Sequence, residues 1–203
     1  MATLWERDVS KKVYLSGPDV FLPNALEIIG RKAALCVEFG FQANLPDDTK
    51  ARCRPPATPT DTSRLIYEAN LSMMETSDFG VFNLTPFRGP SADVGTVFEL
   101  GMMTGLGKPA FGYTNIPGDY ITRIAPRQVL DPKAGEWTDE DDLHIENYGN
   151  ADNLMIDGAI ALDGAPLVRR EMPLSRRFED VDGFRDCLKQ AQAYFAAQAS
   201  TPR

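Results

Sequence analysis

Glu99 is a charged residue where the surrounding pattern calls for burial. It stands between Phe98 and Leu100 in the segment Pro86-Phe-Arg-Gly-Pro-Ser-Ala-Asp-Val-Gly-Thr-Val-Phe-Glu-Leu-Gly101. Val94, Val97, Phe98 and Met102 mark the buried face of a helix in this segment, which sets Glu99 at the edge of that face, just over a turn from the helix start. A carboxylate there is partly desolvated yet near the positive end of the helix dipole, an arrangement expected to keep it ionised and nucleophilic. Its chemistry would be covalent capture of an electrophilic carbon. Asp93 lies six residues earlier, at or beside the helix N-cap, and reads either as a simple cap or as a second working carboxylate. Gly95 and Gly101 leave the approach uncrowded. Phosphate binding is a weak reading here, since neither the dinucleotide glycine spacing nor a P-loop lysine is present, and Ser16-Gly17-Pro18 alone reads as a turn.

These residues need a scaffold, and the pattern supplies one. Lys12 to Leu15 reads as a buried strand entering a tight loop at Ser16-Gly17-Pro18. A helix follows, with Pro23 near its first turn, Leu26, Ile29, Ala33, Cys36 and Val37 at helical spacing, and Gly40 as its stop. Phe41 to Leu45 reads as a second strand, and Pro46 to Thr60 as a proline-rich loop long enough to suggest function. Asp61 or Thr62 is expected to cap the next helix, in which Leu65, Ile66, Ala69, Leu71, Met73 and Met74 form a broad apolar face. Asp78 to Leu84 is the clearest strand. The helix Asp93 to Leu106, closed by Gly107, and the strand Pro109 to Tyr113 complete the alternation. From Thr114 to Arg177 the pattern weakens into turns and acidic residues, and a last helix runs from about Val181 to Ala199, with Phe184, Leu188, Ala191 and Phe195 on one face.

Alternating strands and helices predict an α/β fold: a flavodoxin-like or Rossmann-like doubly wound parallel sheet of about five strands with helices on both faces. In such sheets ligands bind beyond the carboxyl ends of the strands. That edge collects Ser16 to Phe21, Pro46 to Thr60, Thr85 to Thr96 and the loop after Tyr113.

The 203 residues fit a single domain, with its core at 12–161 and the last helix at about 181–199, able to bury about 70% of the surface its unfolded chain exposes. A net charge of -8 repels phosphate backbones and anionic lipid, and no basic cluster offsets it, because Asp47, Asp48 and Asp61 dilute Arg52 and Arg54. Nucleic-acid and membrane partners are therefore not expected. Cys36, Cys53 and Cys187 suggest neither disulfides nor a zinc site, and the N-terminus has no apolar leader, so a cytoplasmic location is expected. His144, the lone histidine, lies in an acidic stretch and reads as a solvated surface residue, which disfavours histidine-based catalysis.

The chain resembles the nucleoside 2-deoxyribosyltransferases. The resemblance rests on Tyr14-Leu-Ser-Gly-Pro18 with Phe21, Asn70, Asp78, Asn83-Leu-Thr-Pro-Phe-Arg-Gly-Pro-Ser91, Asp93-Val-Gly95, Glu99-Leu-Gly101, Gly107-Lys-Pro109 and Asp152-Asn-Leu-Met155, in order over roughly residues 12 to 161. It implies that Glu99 is the nucleophile of a covalent deoxyribosyl-enzyme intermediate. It further implies that Asp93 holds the sugar 5′-hydroxyl and orients the nucleophile, and that Tyr14 stands beside it. Asp48 falls where the family contacts the base, and Gly17, Phe21 and Arg88 lie in matched substrate loops. Asn153 and Met155 match residues that reach a neighbouring subunit's site, implying a homo-oligomer. The implied substrates are a deoxyribonucleoside and a free nucleobase, with no metal or organic cofactor.

Breaking a C1′–N bond builds oxocarbenium character on the sugar, and a carboxylate on the opposite face both stabilises and captures it. One departure stands out: several members carry an aspartate that assists base departure where this chain has Asn70, and an amide can orient a base but not act as its general acid. Asn70 also reads as a plain helix-surface asparagine. A related branch, the deoxynucleoside 5′-monophosphate N-glycosidases, has serine at the Asp93 position; a carboxylate there repels a phosphate dianion, which favours nucleosides. Arg88 and Ser91 nearby leave nucleotides open as substrates, and Arg88 is equally read as a loop brace paired with a carboxylate. Base exchange is the leading reading, with a hydrolytic N-glycosidase and a non-catalytic nucleotide-sensing module as alternatives.

Overall fold

The computed structural model describes residues 10–45, 58–124, 127–131 and 136–200. Five parallel strands form the main sheet: β1 (Lys12–Ser16), β2 (Gln42–Asn44), β3 (Phe79–Asn83), β4 (Ala110–Thr114) and β8 (Val168–Arg169). Their order is β2-β1-β3-β4-β8, the flavodoxin order, and every pair is parallel. The fifth strand is only two residues long and pairs with Tyr113 and Thr114. A second, antiparallel sheet of β5 (Arg127–Asp131), β6 (Glu136–Asp139) and β7 (His144–Ile145) occupies the stretch where the sequence pattern weakens. His144 is exposed on it.

The helices are α1 (Ala25–Glu38), α2 (Pro59–Thr76), α3 (Val94–Gly105), α4 (Leu154–Ala161) and α5 (Asp182–Ala199). Strand alternation divides the interior into two cores. Val13, Phe79, Val81, Phe111 and Tyr113 face α1 and α5, meeting Ile28, Leu35, Cys36, Phe184 and Leu188. Tyr14, Phe82 and Leu84 face the other way, meeting Met74 of α2, Leu100 and Met103 of α3, and Ile156 and Ile160 of α4. No helix among the described residues is long and apolar enough to cross a membrane.

Several local expectations are corrected. In α1 the buried stripe is Ile28, Lys32, Leu35 and Cys36, while Leu26 and Val37 are exposed. Pro23 precedes the N-cap, Asn24, and Pro18 instead opens a separate 3-10 turn over Pro18–Phe21. Thr58, not Asp61 or Thr62, caps α2: its side chain accepts from the Asp61 amide, with Pro59 at the first helical position. The apolar face of α2 is largely open, with Ile66 and Tyr67 exposed and Met74 its one buried residue. In α3 the buried residues are Thr96, Leu100 and Met103, and Val94 and Phe98 face outward. Hydrophobicity alone does not separate these open apolar side chains from the packed ones. The bounds of β1 to β4 fall within one residue of the sequence pattern, and the α3 cap at Asp93 and the packed face of α5 agree with it.

The Gly107-Lys-Pro109 motif has a structural explanation. Gly107 turns with φ +70° after α3, and Lys108 Nζ donates to the carbonyls of Met74, Glu75 and Ser77 at 2.6–2.7 Å. One lysine thereby terminates α2 and ties it to the start of β4.

Candidate active site

β1 occupies the switch point of the sheet, since β2 lies on one side of it and β3 on the other. The crevice beyond its carboxyl end is where this architecture places ligands. Tyr14 and Ser16 are two residues apart on β1 and so project from the same face, the one covered by α2 and α3. Glu99, half-buried on α3, meets them there. Ser16 Oγ donates to Glu99 Oε2 at 2.5 Å, Asn70 Nδ2 of α2 donates to Oε1 at 3.1 Å, and Tyr14 adds a further side-chain hydrogen bond. Three donors from a strand and a second helix therefore fix one carboxylate.

Burial is the largest influence on that carboxyl and pushes its pKa above the usual glutamate range; the Asp93 charge adds to the rise, while the bonds from Ser16, Tyr14 and Asn70 oppose it. This corrects the expectation from the helix dipole. Glu99 is the sixth residue of α3, and the dipole's influence fades within the first turn. The Tyr14 hydroxyl is pushed up in turn by burial and by Glu99, so it remains a protonated donor at neutral pH.

The raised pKa has a consequence for stability. The folded state keeps the Glu99 proton to higher pH than the unfolded chain does, so stability is lost as pH rises from the ordinary glutamate range through the raised value. Glu99→Gln is therefore expected to melt above the parent at neutral pH and to lose that advantage below the ordinary glutamate range. Thermal melts across pH check this, and a Gln variant less stable than the parent at neutral pH would contradict it.

Asp93 is the N-cap of α3, its Oδ2 accepting from the Thr96 amide at 3.0 Å and the Thr96 hydroxyl at 3.1 Å. It is half-buried and close enough to raise the Glu99 pKa. Asn70 is spent on Glu99 and is not a plain surface asparagine. Gly17 is required by close approach: a Cβ there would lie 2.6 Å from the Asn83 Cβ and 3.2 Å from Asp19 Oδ2. Phe21 stacks on Phe87 with ring centroids 5.2 Å apart and planes at 10°, and the Arg88 guanidinium covers both rings, at 5.1 and 4.6 Å. Arg88 has φ 56° and braces this loop through aromatic faces. Asp48 lies outside the described residues.

Among the described residues no hydrogen bond joins Asn153 or Met155 to Glu99. Asn153 caps α4, accepting from the Met155 amide at 3.0 Å and donating to Glu146 Oε1 at 2.7 Å, and Met155 is 71% exposed. Their neighbour Asp152 does connect to the site. Buried, it accepts from the Ser91 hydroxyl and from the Ala92 amide at 2.9 Å, holding the segment that leads into Asp93. Among the described residues no group of three His, Cys, Asp or Glu side chains is arranged to hold a metal.

Sequence reasoning missed two features. Ser16 reads in the sequence as part of a turn, although its two-residue spacing from Tyr14 is an available signal. The second is a buried polar cluster below the loop: Lys32 of α1 pairs with Asp19, and Asn83 Nδ2 donates to Asp19 Oδ1 at 2.8 Å. Lys32 is only 3% exposed and also lies over the Tyr113 and Phe184 rings, at 5.6 and 5.3 Å.

A flavodoxin-ordered sheet with a shielded, hydrogen-bonded glutamate at its switch point defines an α/β protein built around one carboxylate. The family model for nucleoside 2-deoxyribosyltransferase matches residues 13–155, and the chain belongs to that family. Membership makes it an enzyme of deoxyribosyl transfer. An uncharacterized protein of Schizosaccharomyces pombe is 34% identical over 164 residues, covering 75% of this chain and 78% of the relative. The fold is similar to that of a 2-deoxyribosyltransferase from Leishmania mexicana, with TM-score 0.58 and 24% identity over 87% of this chain and 97% of that one. A conserved protein from Enterococcus faecalis V583 shares it with TM-score 0.51 and 20% identity over 90% and 99% of the two chains.

Proposed function

We propose that the protein exchanges nucleobases on 2′-deoxyribonucleosides by a retaining double displacement, with Glu99 as the nucleophile. The observation that carries this reading is the half-buried Glu99 carboxylate held by Ser16, Asn70 and Tyr14. Glu99 attacks C1′ from the face opposite the base, and a second base then attacks the glutamyl sugar, so two inversions give retention. The Asn70 amide cannot act as a general acid, so the departing base takes its proton from water or from Asp48. Asp93 holds the 5′-hydroxyl, and the exposed rim of Phe21 and Arg88 beyond Gly17 faces the substrate.

Transfer prevails over hydrolysis when water is kept from the intermediate, and a neighbouring copy of the chain supplies that cover, Asn153 and Met155 reaching its site. Supporting this are the exposure of Met155 and the open apolar side chains Ile66, Tyr67, Val94 and Phe98 beside Asn70 and Glu99 on their helices. The homo-oligomer works as one domain per chain, in the cytoplasm, in nucleobase salvage, with no metal or organic cofactor and no nucleic-acid or membrane partner.

Incubating deoxynucleosides of adenine, hypoxanthine, thymine or cytosine singly with a different free base tests the reaction class. A new nucleoside is expected; free deoxyribose alone would mean a hydrolase, and unturned substrate a binding module. Asp93→Ser, which retains a helix cap, is expected to raise the use of 5′-monophosphates relative to nucleosides, because it removes a charge that repels phosphate. An unchanged ratio of the two kcat/KM values would remove Asp93 from substrate selection.

A further inference from the structure

A short hydrogen bond on Glu99 comes from a residue that the family resemblance did not assign. Ser16 Oγ is 2.5 Å from Oε2, against 3.1 Å for Asn70 on Oε1. Ser16 is buried, where water competes weakly for the same oxygen. It is also held from several sides. Its backbone pairs with Phe82 of β3, the next residue packs against Asn83, and Asn83 is tied to Asp19, which Lys32 holds from α1. The hydroxyl is thus preorganised toward one carboxylate oxygen.

We propose that Ser16 is a positioning residue for the second half of the reaction, its hydroxyl stabilising the Glu99 carboxylate as it is released from the sugar. This rests on Glu99 being the covalent nucleophile. In the first half, an electron pair of Glu99 forms the C1′–O bond while the C1′–N pair leaves with the base, which takes up a proton. In the second half, a nitrogen of the acceptor base attacks C1′, the C1′–O pair returns to the carboxylate, and the acceptor's N–H proton passes to water. A donor on the carboxylate weakens it as a nucleophile and improves it as a leaving group, so the two halves respond oppositely to its loss. The burial of Glu99 makes this help matter more, because a released carboxylate there has little water to stabilise it.

The two halves can be timed separately with a 2′-fluoro-arabinosyl analogue of thymidine or of deoxyadenosine, whose fluorine destabilises the cationic transition state and slows both steps. The adduct is formed first and followed by intact mass, then chased with free cytosine or hypoxanthine. In Ser16→Ala the chase is expected to slow on the order of tenfold, the effect of a lost charge-assisted hydrogen bond, while adduct formation is no slower than in the parent. A parent-like chase, or equal slowing of both steps as a purely structural defect would give, overturns the role of Ser16. Absence of any adduct in the parent, with base exchange intact, overturns the covalent reading itself.

Discussion

Glu99→Ala is expected to exchange bases at least ~1000-fold more slowly than the parent, the order of loss when a covalent nucleophile is removed. The loss should fall on kcat, with nucleoside affinity kept within a few-fold, because the sugar hydroxyl and base contacts assigned to other residues remain. Unfolding does not explain such a loss. Burial raises the Glu99 pKa and so disfavours its charged form, and deleting the carboxyl relieves that cost even as Ser16, Asn70 and Tyr14 lose their shared acceptor. A melting temperature near the parent's, measured on the same preparation, therefore accompanies the collapse in rate. Activity close to the parent's would remove Glu99 from the chemistry.

Lys32→Met is expected to cost about 3–5 kcal/mol of folding stability, the usual penalty for breaking a buried ion pair from one side. Methionine keeps most of the apolar stem against Tyr113 and Phe184, so the loss isolates the charge. Asp19 is left buried with Asn83 as its remaining side-chain partner. Chemical denaturation should show a lower midpoint with an unchanged slope. Adding Asp19→Asn removes the orphaned charge and keeps an acceptor for Asn83, so the double variant should recover part of the loss. A Lys32→Met variant within 1 kcal/mol of the parent, or a double variant whose losses simply add, would show that the pair does not hold this edge of the sheet together.

The sequence made the architecture readable because a parallel sheet buried on both faces writes itself as short apolar runs. Phe79–Asn83 and Ala110–Thr114 are buried at every position, and both stood out. β8 did not, because two residues leave no period to detect and its place depends on Thr114 being next to it in space. Helix faces were less legible than helix positions. Phe98 and Ile66 are apolar yet exposed, so hydrophobicity pointed inward where the packing does not. Lys32 gave the opposite error, a charged residue in a buried stripe whose partner, Asp19, lies across a turn.

At the site, Glu99 and Asp93 are legible from residue type and spacing, whereas Tyr14 and Asn70 are reached only through the family resemblance; Glu99, Tyr14 and Asn70 share hydrogen bonds. What spacing could not supply was the electrostatic balance. Near a helix start a carboxylate should ionise easily, but desolvation outweighs a dipole already a turn and a half away. Nor could it rank Ser16 above an ordinary turn serine, since its importance comes from Glu99, 83 positions along the chain.

The central claim is that one identified oxygen nucleophile bonds to the anomeric carbon. Trapping the parent with the fluorinated arabinosyl analogue, digesting it and mapping the modified peptide tests that most directly. The fluoroarabinosyl mass should sit on Glu99 and vanish when an acceptor base is added; a label on any other side chain, or exchange that proceeds with no label, would contradict the account.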